Sequence, residues 1–399
     1  MSTHDAIFAG EKRTRIVLFS LGVILVGANL RAAITAIGPV LPSIQQSLGL
    51  SESQAGMLNA LPLLIFAIFS LVAPAVGKKF GLERVLAAAL LAIASGTLVR
   101  SSGPHVAVWA GTLLLSLGIA FGNVLLPGLV KREMGAHAPT LIALYASAMA
   151  SFAGLAAGVA VPIAMLPGSG WRWSLGCWAL PAVIGLIAWL PQLRRAQPQA
   201  ISGVRSIRAA MSPWKHSTGW AVSLFFALHS AVFYSIVSWY PSYAATTGLS
   251  LRAAGVNLLV YQIVAVASNI VCGPLIKRSK NQVALGVLCG ALLLTGTGGL
   301  FLRLPWQVVW IAVSGLGAGI AMTTSLSLFG LRTVDHDQAS RLSGMAQFIG
   351  YLGGASGPLL VGVLQQMTGG WTAPMLMLCA VSFCVMFFAA MAGRDTKIN

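Results

Sequence analysis

Acidic residues are the scarcest feature of this chain, because Asp and Glu together account for only 8 of its 399 residues. All of them lie in polar stretches or at the ends of apolar runs, at Asp5, Glu11, Glu52, Glu83, Glu133, Asp335, Asp337 and Asp395. Carboxylates inside apolar runs commonly carry protons through membrane proteins. Their absence here argues against a proton relay built on carboxylates.

Cysteine is also sparse, and no known catalytic motif is present. Five cysteines lie in apolar segments without metal-ligand or disulfide spacing, and we expect them to be small buried side chains; they are Cys177, Cys272, Cys289, Cys379 and Cys384. The chain has no phosphate-binding loop, no metal-ligand cluster and no nucleophile with a base in a known motif. We therefore predict that the protein is not an enzyme and needs no metal or cofactor.

Long apolar segments are abundant in this chain. Hydrophobic residues make up 57% of it, charged residues only 8%, and glycine occurs 44 times, a composition typical of a helical membrane protein. Runs of about 20 residues, enough for a helix to cross ~30 Å of hydrocarbon, recur from end to end. Twelve transmembrane helices are predicted, at 16–42, 52–77, 84–101, 105–130, 139–166, 172–193, 217–246, 252–276, 281–301, 306–330, 339–366 and 371–392.

The basic residues predict the orientation of these spans. If the N-terminus is cytoplasmic, 20 of the 25 Lys and Arg residues fall in inside segments, and only Arg100, Arg172, Arg252 and Arg303 fall at outside ends. Positive charge concentrates on the cytoplasmic side of membrane proteins, so we expect both termini there. The formal net charge of +17 then faces membrane lipid, and no nucleic-acid partner is needed to explain it.

The two halves of the chain match at a nearly constant spacing. Pairs separated by 196 to 200 residues include Arg132 with Arg332, Pro162 with Pro358, and Trp171 with Trp371. We therefore predict two pseudo-symmetric six-helix bundles, 1–193 and 217–399, joined by a cytoplasmic linker at 194–216. This is the plan of a transporter whose halves rock about a central site, and one chain supplies a complete pathway, so we expect a monomer.

Arg31 is the one basic residue predicted in the middle of a span. It lies ~22 Å along a helix that begins near residue 16, too deep to reach either surface comfortably. Asn29 is close to it in sequence, and Thr35 shares its helix face at i, i+4 spacing. Backbone carbonyls and amides could satisfy such a cation, but intramembrane charges usually face a cavity. We favour an anionic or electron-rich cargo, bound by Arg31 with Asn29 and Thr35.

Polar side chains in other spans complete the predicted binding set. They are Asn123, Tyr145, His229, Tyr234, Tyr261, Gln262, Gln347 and Tyr351. The amides are strong candidates, because a buried amide needs a partner and a water-lined cavity supplies one. His229 is the mid-span group that changes charge near neutral pH, and the sequence allows either a hydrogen-bonding wall residue or a proton carrier.

The loop between the second and third spans, residues 74–84, resembles the signature loop of the major facilitator superfamily, G-x-x-x-D-R-x-G-R-R. Pro74 replaces the first glycine and Lys78 stands at the usual Asp, so a salt-bridge latch here would have to use Glu83. Gating and ordinary positive-inside charge both fit these residues. The predicted gating set is Lys78, Lys79, Glu83, Arg84, Arg132, Arg332, Asp335 and Arg341.

Longer strings carry a more specific resemblance. Asn29-Leu30-Arg31, the segment 122–132 that begins GNVLLPG, and the segments 343–347 and 350–352 are similar to the bacterial family of cyanate permeases and 2-nitroimidazole transporters, and closer to the second branch. The resemblance covers nearly the whole chain. It implies transport of a small anion or a nitro-heterocycle across the bacterial inner membrane, with Arg31 matching the first-span Arg of the family.

Two functional hypotheses follow. The first is a secondary transporter that moves a cyanate-like or nitrate-like anion, or a 2-nitroimidazole, by alternating access. The alternative is a proton-coupled polyspecific drug exporter. The lack of intramembrane carboxylates disfavours the exporter, and Arg31 should repel lipophilic cations.

Overall fold

The computed structural model describes residues 3–50, 52–193 and 212–398, which form fifteen α-helices. In chain order these are α1 (Thr3–Asn29), α2 (Ala32–Thr35), α3 (Ile37–Leu48), α4 (Glu52–Phe80), α5 (Leu82–Ser101), α6 (His105–Met134), α7 (Ala138–Ala164), α8 (Gly170–Gly176), α9 (Ala179–Leu193), α10 (Ser217–Ala245), α11 (Leu251–Arg278), α12 (Val283–Phe301), α13 (Gln307–Leu331), α14 (His336–Thr368) and α15 (Thr372–Ala392). Most of the predicted linker, 194–216, lies outside the described residues.

Eleven helical segments of the described chain are long and apolar enough to cross a membrane. One of them, His105–Ala164, is 60 residues long, about three times the length that a bilayer requires. It contains both α6 and α7, which are separated by a short 3-10 turn at Gly135–His137. Counting α6 and α7 separately gives the twelve predicted spans, and the prediction of an all-α membrane protein is confirmed.

Two spans, the first and the sixth, differ from the prediction because they are interrupted. The first was expected as one helix over 16–42, but the structure divides it into α1, α2 and α3, and it divides the sixth into α8 and α9. Proline explains one break in each span: Pro39 and Pro181 lie in the first turns of α3 and α9, and proline has no N–H to continue a preceding helix. The break at Leu30 and Arg31 contains no proline, so its cause lies in other contacts.

The chain divides into two compact units. Unit 1 consists of Met1–Ile65, Ala75–Leu126 and Ala148–Gly203. Unit 2 consists of Val204–Asn399 together with Phe66–Pro74 and Pro127–Ser147. Unit 2 therefore combines the last six spans with parts of α4, α6 and α7.

Glycine permits close approach of helices within both units. In unit 1, α5 meets α6 at Gly96 and Gly111, and a Cβ on Gly111 would overlap the backbone nitrogen of Arg100. In unit 2, Gly353 of α14 faces the backbone of Ala227 in α10. Such contacts are the usual basis of helix association in lipid, because apolar side chains gain little by leaving a hydrocarbon solvent.

Gly111→Ala should destabilise the protein, because the added methyl group meets backbone atoms of α5 that cannot move aside. We expect a loss of roughly 1–3 kcal/mol, the usual cost of overpacking, measured as a lower thermal unfolding temperature of the purified protein. Gly298→Ala in α12 is the matched control, since nothing lies within 4 Å of a Cβ at that position. Equal unfolding temperatures for the two variants would contradict the packing described for α5 and α6.

Candidate functional site

The candidate site in unit 1 surrounds the interruption of the first span. α1 ends at Asn29 and α2 begins at Ala32, so Leu30 and Arg31 form a junction between them. Arg31 is half-buried and has φ −138° and ψ −31°. A helix interrupted inside a membrane is tolerated where protein groups or a water-lined cavity satisfy the released backbone groups. The contacts of the residues around the junction therefore determine the position of Arg31.

Asn29 fastens the end of α1 to the sixth span. Its Nδ2 donates hydrogen bonds to the backbone oxygen of Leu25 at 2.8 Å and to that of Pro181 at 3.0 Å. The side chain is 2% exposed, and backbone carbonyls engage its amide nitrogen. In this structure Asn29 holds the junction in place.

Thr35 and Leu30 connect the junction to two more spans. The Oγ1 of Thr35 lies 3.0 Å from the backbone oxygen of Ala153 in α7. Leu30 fills the space beside Gly122 of α6, where a Cβ would overlap it. Asn123, the next residue, is half-buried. The contact between α6 and Leu30 therefore brings the predicted amide close to the segment that carries Arg31.

Arg100 also holds the junction, which the sequence interpretation missed. It was assigned to the outside end of the third span, yet it is 1% exposed, and its Nη1 donates a 2.8 Å hydrogen bond to the backbone oxygen of Ala33. Its Nε and Nη2 have no hydrogen-bond partner in the described part of the chain. A cation in the last turn of α5 suits the negative end of the helix dipole. The one sequence feature that could have pointed to this role of Arg100 is its position as a single basic residue at the end of an apolar run.

The junction has the electrostatics of an anion site. Its flanking side chains, Asn29, Thr35 and Asn123, are uncharged, while Arg31 and Arg100 are both cations. A guanidinium offers planar, forked donors that suit an anion or the oxygen atoms of a nitro group. Among the described residues, no three His, Cys, Asp or Glu side chains form a group that could hold a metal ion.

Unit 2 contains the other predicted binding residues, and two of them are joined on α14. The hydroxyl of Tyr351 donates to Oε1 of Gln347 at 3.0 Å, and Nε2 of Gln347 donates to Oγ of Ser343 at 3.1 Å. The ring of Phe66 packs against Tyr351 with 5.0 Å between centroids. An amide and a phenol thus form one hydrogen-bonded chain with an aromatic wall beside it.

His229 lies among aromatic rings in α10. Its Nε2 is 3.1 Å from Oγ of Ser325 in α13. The imidazole packs edge-on against Phe226 with 5.2 Å between centroids, and the side chain is buried. This environment favours a hydrogen-bonding wall residue over a proton carrier, because a ring nitrogen is already engaged and phenyl rings cover the imidazole.

The remaining predicted binding residues supply mainly aromatic surface. Phe233 packs against Tyr234 and Tyr261, with centroid distances of 5.3 and 5.9 Å. The hydroxyl of Tyr261 is buried and has no hydrogen-bond partner within the described residues. Gln262 is half-buried in α11, and Tyr145 is buried in α7. Unit 2 therefore offers ring faces on α10 and α11 together with the buried hydroxyl of Tyr261.

Lys131, the neighbour of the predicted gating residue Arg132, covers the end of α13 in unit 2. Its Nζ donates to the backbone oxygens of Gly330 at 2.7 Å and Thr333 at 2.5 Å. Carbonyls at a helix end lack helical partners, and a cation suits the negative end of the dipole. Arg132 itself pairs with Glu133 at 3.0 Å on the surface, a contact that contributes only ~0–1 kcal/mol.

Arg332, also predicted to act in gating, fastens the C-terminal segment. It is 2% exposed, and it donates to the backbone oxygens of Ala392 and Gly393, each at 2.8 Å, and to Oε1 of Gln282. Asp395 lies 3.8 Å from Nη1. Burial lowers the pKa of the Arg332 guanidinium, and the Asp395 carboxylate opposes that shift. Arg332 therefore ties the end of α15 to the start of α12.

The last two predicted gating residues of unit 2 lie on or just before α14. Asp335 caps this helix, because its carboxylate accepts a 2.7 Å hydrogen bond from the backbone nitrogen of Gln338. Arg341 lies farther along α14 and is exposed. The role that the structure gives to Asp335 is thus to begin a helix.

The predicted gating residues of unit 1 lie where α4 meets α5. Three of them are exposed, namely Lys78, Lys79 and Arg84. Glu83 is buried, and its backbone oxygen accepts a 3.0 Å hydrogen bond from Nε1 of Trp189 in α9. The exposed cations therefore face the surroundings of the protein, whereas Glu83 is part of the packing between α5 and α9.

In the part of the chain that the structure describes, twelve apolar helices with polar and cationic side chains among them are typical of multi-pass solute transporters. Residues 21–358 match the sequence profile of the Major Facilitator Superfamily. The chain belongs to this family, and the prediction of a membrane transporter is confirmed.

Several relatives match nearly the whole chain. It is 36% identical to the uncharacterized transporter YycB of Bacillus subtilis (strain 168), over 94% of both chains. It is 34% identical to the 2-nitroimidazole transporter of Escherichia coli (strain K12), over 97% of this chain and 98% of the relative. For the cyanate transport protein CynX of the same organism the identity is 29%, over 88% and 91%. The predicted family resemblance is confirmed.

A solved structure supports the same fold. The proton:xylose symporter XylE superimposes with a TM-score of 0.74, covering 97% of this chain and 98% of the symporter. The sequence identity is 13%, so the likeness concerns the fold alone.

Arg100→Met should slow transport while changing the unfolding temperature by only a few degrees. The substitution loses the hydrogen bond to Ala33 but also removes two buried nitrogens that lack partners, and these effects oppose each other in stability. A hydrogen bond from a charged group contributes ~1.5–3 kcal/mol. We therefore expect roughly a tenfold slower uptake of the transported compound by lipid vesicles that contain the purified variant. Arg394→Met, at an exposed arginine, is the control. Normal uptake by Arg100→Met would contradict its assigned role.

Proposed function

We propose that this protein moves a small anion or a compact nitro-heterocycle by alternating access, with Arg31 as the principal binding group. The interruption of the first span at Arg31 supports this proposal most strongly. Hydrogen bonds from Asn29, Thr35 and Arg100 hold the flanking segments. A guanidinium held at a defined place within the bilayer is suited to select cargo.

The chemistry of guanidinium favours cargo with two adjacent acceptor atoms. Its forked donors can pair with both atoms at once, which a lysine ammonium cannot do in the same fixed geometry. Nitrate, short carboxylates and the nitro group of a 2-nitroimidazole have such atoms, and the linear cyanate ion has an acceptor at each end. Relatives named for 2-nitroimidazole and cyanate transport support these classes. Asn123, Gln347 and Tyr351 are proposed as further groups that meet the cargo along its path.

The distribution of basic residues and the match between the two halves of the chain support one location and orientation of the protein in the cell. We place the protein in the bacterial inner membrane with both termini in the cytoplasm, because 20 of the 25 basic residues fall in segments on one side. The repeat supports two moving bundles, 1–193 and 217–399, and a functional monomer. We expect no enzymatic activity.

The end of α13 is proposed as part of the cytoplasmic gate. Lys131 belongs to the first six spans, and the carbonyls of Gly330 and Thr333 that it contacts belong to the last six. In the same unit, α6 meets α14 at Gly128, where a Cβ would overlap Oγ of Ser340. Contacts between the two repeats on this side must separate when the pathway opens there.

A proton-coupled drug exporter is the second candidate function. His229 favours it, because a buried titratable group that touches Ser325 offers a site whose charge could change during a transport cycle. Lipophilic cations, however, would meet a positive field at Arg31 and Arg100. The exporter therefore ranks below the transporter of anions and nitro compounds.

Ligand-induced thermal stabilisation tests the cargo proposal. Purified protein is heated with cyanate, nitrate, short carboxylates or 2-nitroimidazole, as wild type and as Arg31→Gln, Arg31→Lys and Arg394→Gln. The preferred compound should stabilise the wild type and the Arg394→Gln control. It should need a roughly tenfold higher concentration for Arg31→Lys, since losing one charge-assisted hydrogen bond costs ~1.5–3 kcal/mol, and it should have little effect on Arg31→Gln.

Equal stabilisation of the wild type and Arg31→Gln would remove Arg31 from the site. Extrusion of lipophilic cations by cells, driven by a proton gradient and abolished by His229→Asn, would instead support the exporter.

Lys131→Met should loosen the end of α13, because the carbonyls of Gly330 and Thr333 lose a charged donor. Amide hydrogen exchange in residues 326–335 should become roughly tenfold faster, as expected when ~1.5 kcal/mol of stabilisation is lost. Lys280→Met, at an exposed lysine, should leave this segment unchanged. If exchange in Lys131→Met matched the wild type, the proposed gate contact would be wrong.

A further inference from the structure

A groove on unit 1 has a chemistry unrelated to cargo binding. A cavity of about 480 Å³ opens between α4, α5 and α6. Phe80 of α4 and Phe121 of α6 contribute aromatic walls, and of the ten lining residues only Arg84 is charged. An exposed apolar slot on a membrane-spanning surface normally contacts lipid, so the single cation is the informative feature.

The groove has the shape of a slot for a hydrocarbon chain. It follows α5 from Arg84 to Ala92, a distance of ~12 Å at 1.5 Å per residue. Its floor is made of small residues, because Ala88, Ala89 and Gly118 line it. Gly118 brings α6 so close to α5 that a Cβ there would lie 2.5 Å from the backbone oxygen of Ala89. The lining of the slot is therefore almost wholly apolar.

Positive charge is concentrated at one end of the slot. Arg84 lies in the first turn of α5, and Lys78 and Lys79 lie in the last turn of α4. All three side chains are exposed. A basic cluster at the end of a membrane span attracts anionic headgroups by ~1 kcal/mol per residue, and a guanidinium pairs with phosphate through two donors.

We propose that this groove binds one anionic phospholipid, with an acyl chain in the slot and its phosphate at Arg84. Apolar walls match the acyl chain, and the cations match a headgroup that keeps a net negative charge. A zwitterionic lipid also fills the slot, but its own cation offsets the attraction of its phosphate to Arg84. The proposal requires only that the chain spans a membrane, and it is independent of the cargo.

Lipid binding to the full-length purified protein tests this proposal. Phosphatidylglycerol and phosphatidylcholine of identical acyl chains are titrated in detergent, and bound lipid is counted by native mass spectrometry. Arg84→Gln removes the headgroup contact, and Ala88→Phe fills the slot. Lys280→Gln removes an exposed cation that does not line the groove, and Leu91→Phe adds a phenyl ring to an exposed position of α5 that does not line it either.

One phosphatidylglycerol should bind the wild type at least roughly fivefold more tightly than phosphatidylcholine, because each basic residue contributes ~1 kcal/mol. Arg84→Gln should reduce that preference roughly fivefold, as ~1 kcal/mol per basic residue implies, Ala88→Phe should weaken the binding of both lipids, and the two controls should behave as the wild type. Equal affinity for both lipids in the wild type overturns the proposal, as does a preference that Arg84→Gln leaves unchanged. A dimer that Ala88→Phe dissociates would assign the groove to a second copy and also overturn it. If Ala88→Phe fails to fold, Arg84→Gln decides alone.

Discussion

Every backbone polar group in hydrocarbon needs a hydrogen-bond partner. The first span is interrupted at Leu30 and Arg31, where the chain carries the cation predicted to lie in the middle of the membrane. Each group left unpaired at such a junction costs several kcal/mol in lipid. The Arg100 contact with the backbone oxygen of Ala33 reduces that cost, and the Asn29 contact with Pro181 and the Thr35 contact with Ala153 tie the flanking segments to neighbouring spans. The position of Arg31, and with it the proposed selectivity, depends on these hydrogen bonds.

The shortage of acidic residues explains how other cations are satisfied. With 8 acidic residues against 25 basic ones, carboxylate partners are too few, and backbone carbonyls take their place. Arg100 donates to Ala33, Lys131 to Gly330 and Thr333, and Arg332 to the end of α15. Carbonyls near helix ends serve well because they lack helical partners and carry the negative end of the dipole. A carbonyl stabilises a cation such as Arg100 without neutralising it, so the first span keeps a positive field around Ala33.

The spans and the family could be predicted from the sequence, because the length and composition of an apolar segment and the residues of a motif are local properties of the chain. It did not predict the break at Leu30 and Arg31, where α5, α6, α7 and α9, all far away in sequence, contact the flanking residues. Arg100 was assigned to a surface for the same reason: its burial depends on packing against α2. Asn29 is predicted to meet cargo, and in the structure its amide nitrogen donates to the Leu25 oxygen one turn earlier in α1 and to the Pro181 oxygen, which only the fold brings near it.

A structure determined with bound cargo tests the central claim most directly, namely that the Arg31 guanidinium is the principal group that binds the cargo. The preferred compound of the thermal screen should be used at saturation. We expect an anionic or nitro oxygen within ~2.7–2.9 Å of a guanidinium nitrogen of Arg31, the distance typical of a charge-assisted hydrogen bond, with the junction at Leu30 and Arg31 retained. Cargo bound away from Arg31, or a first span that becomes one continuous helix, would contradict the account.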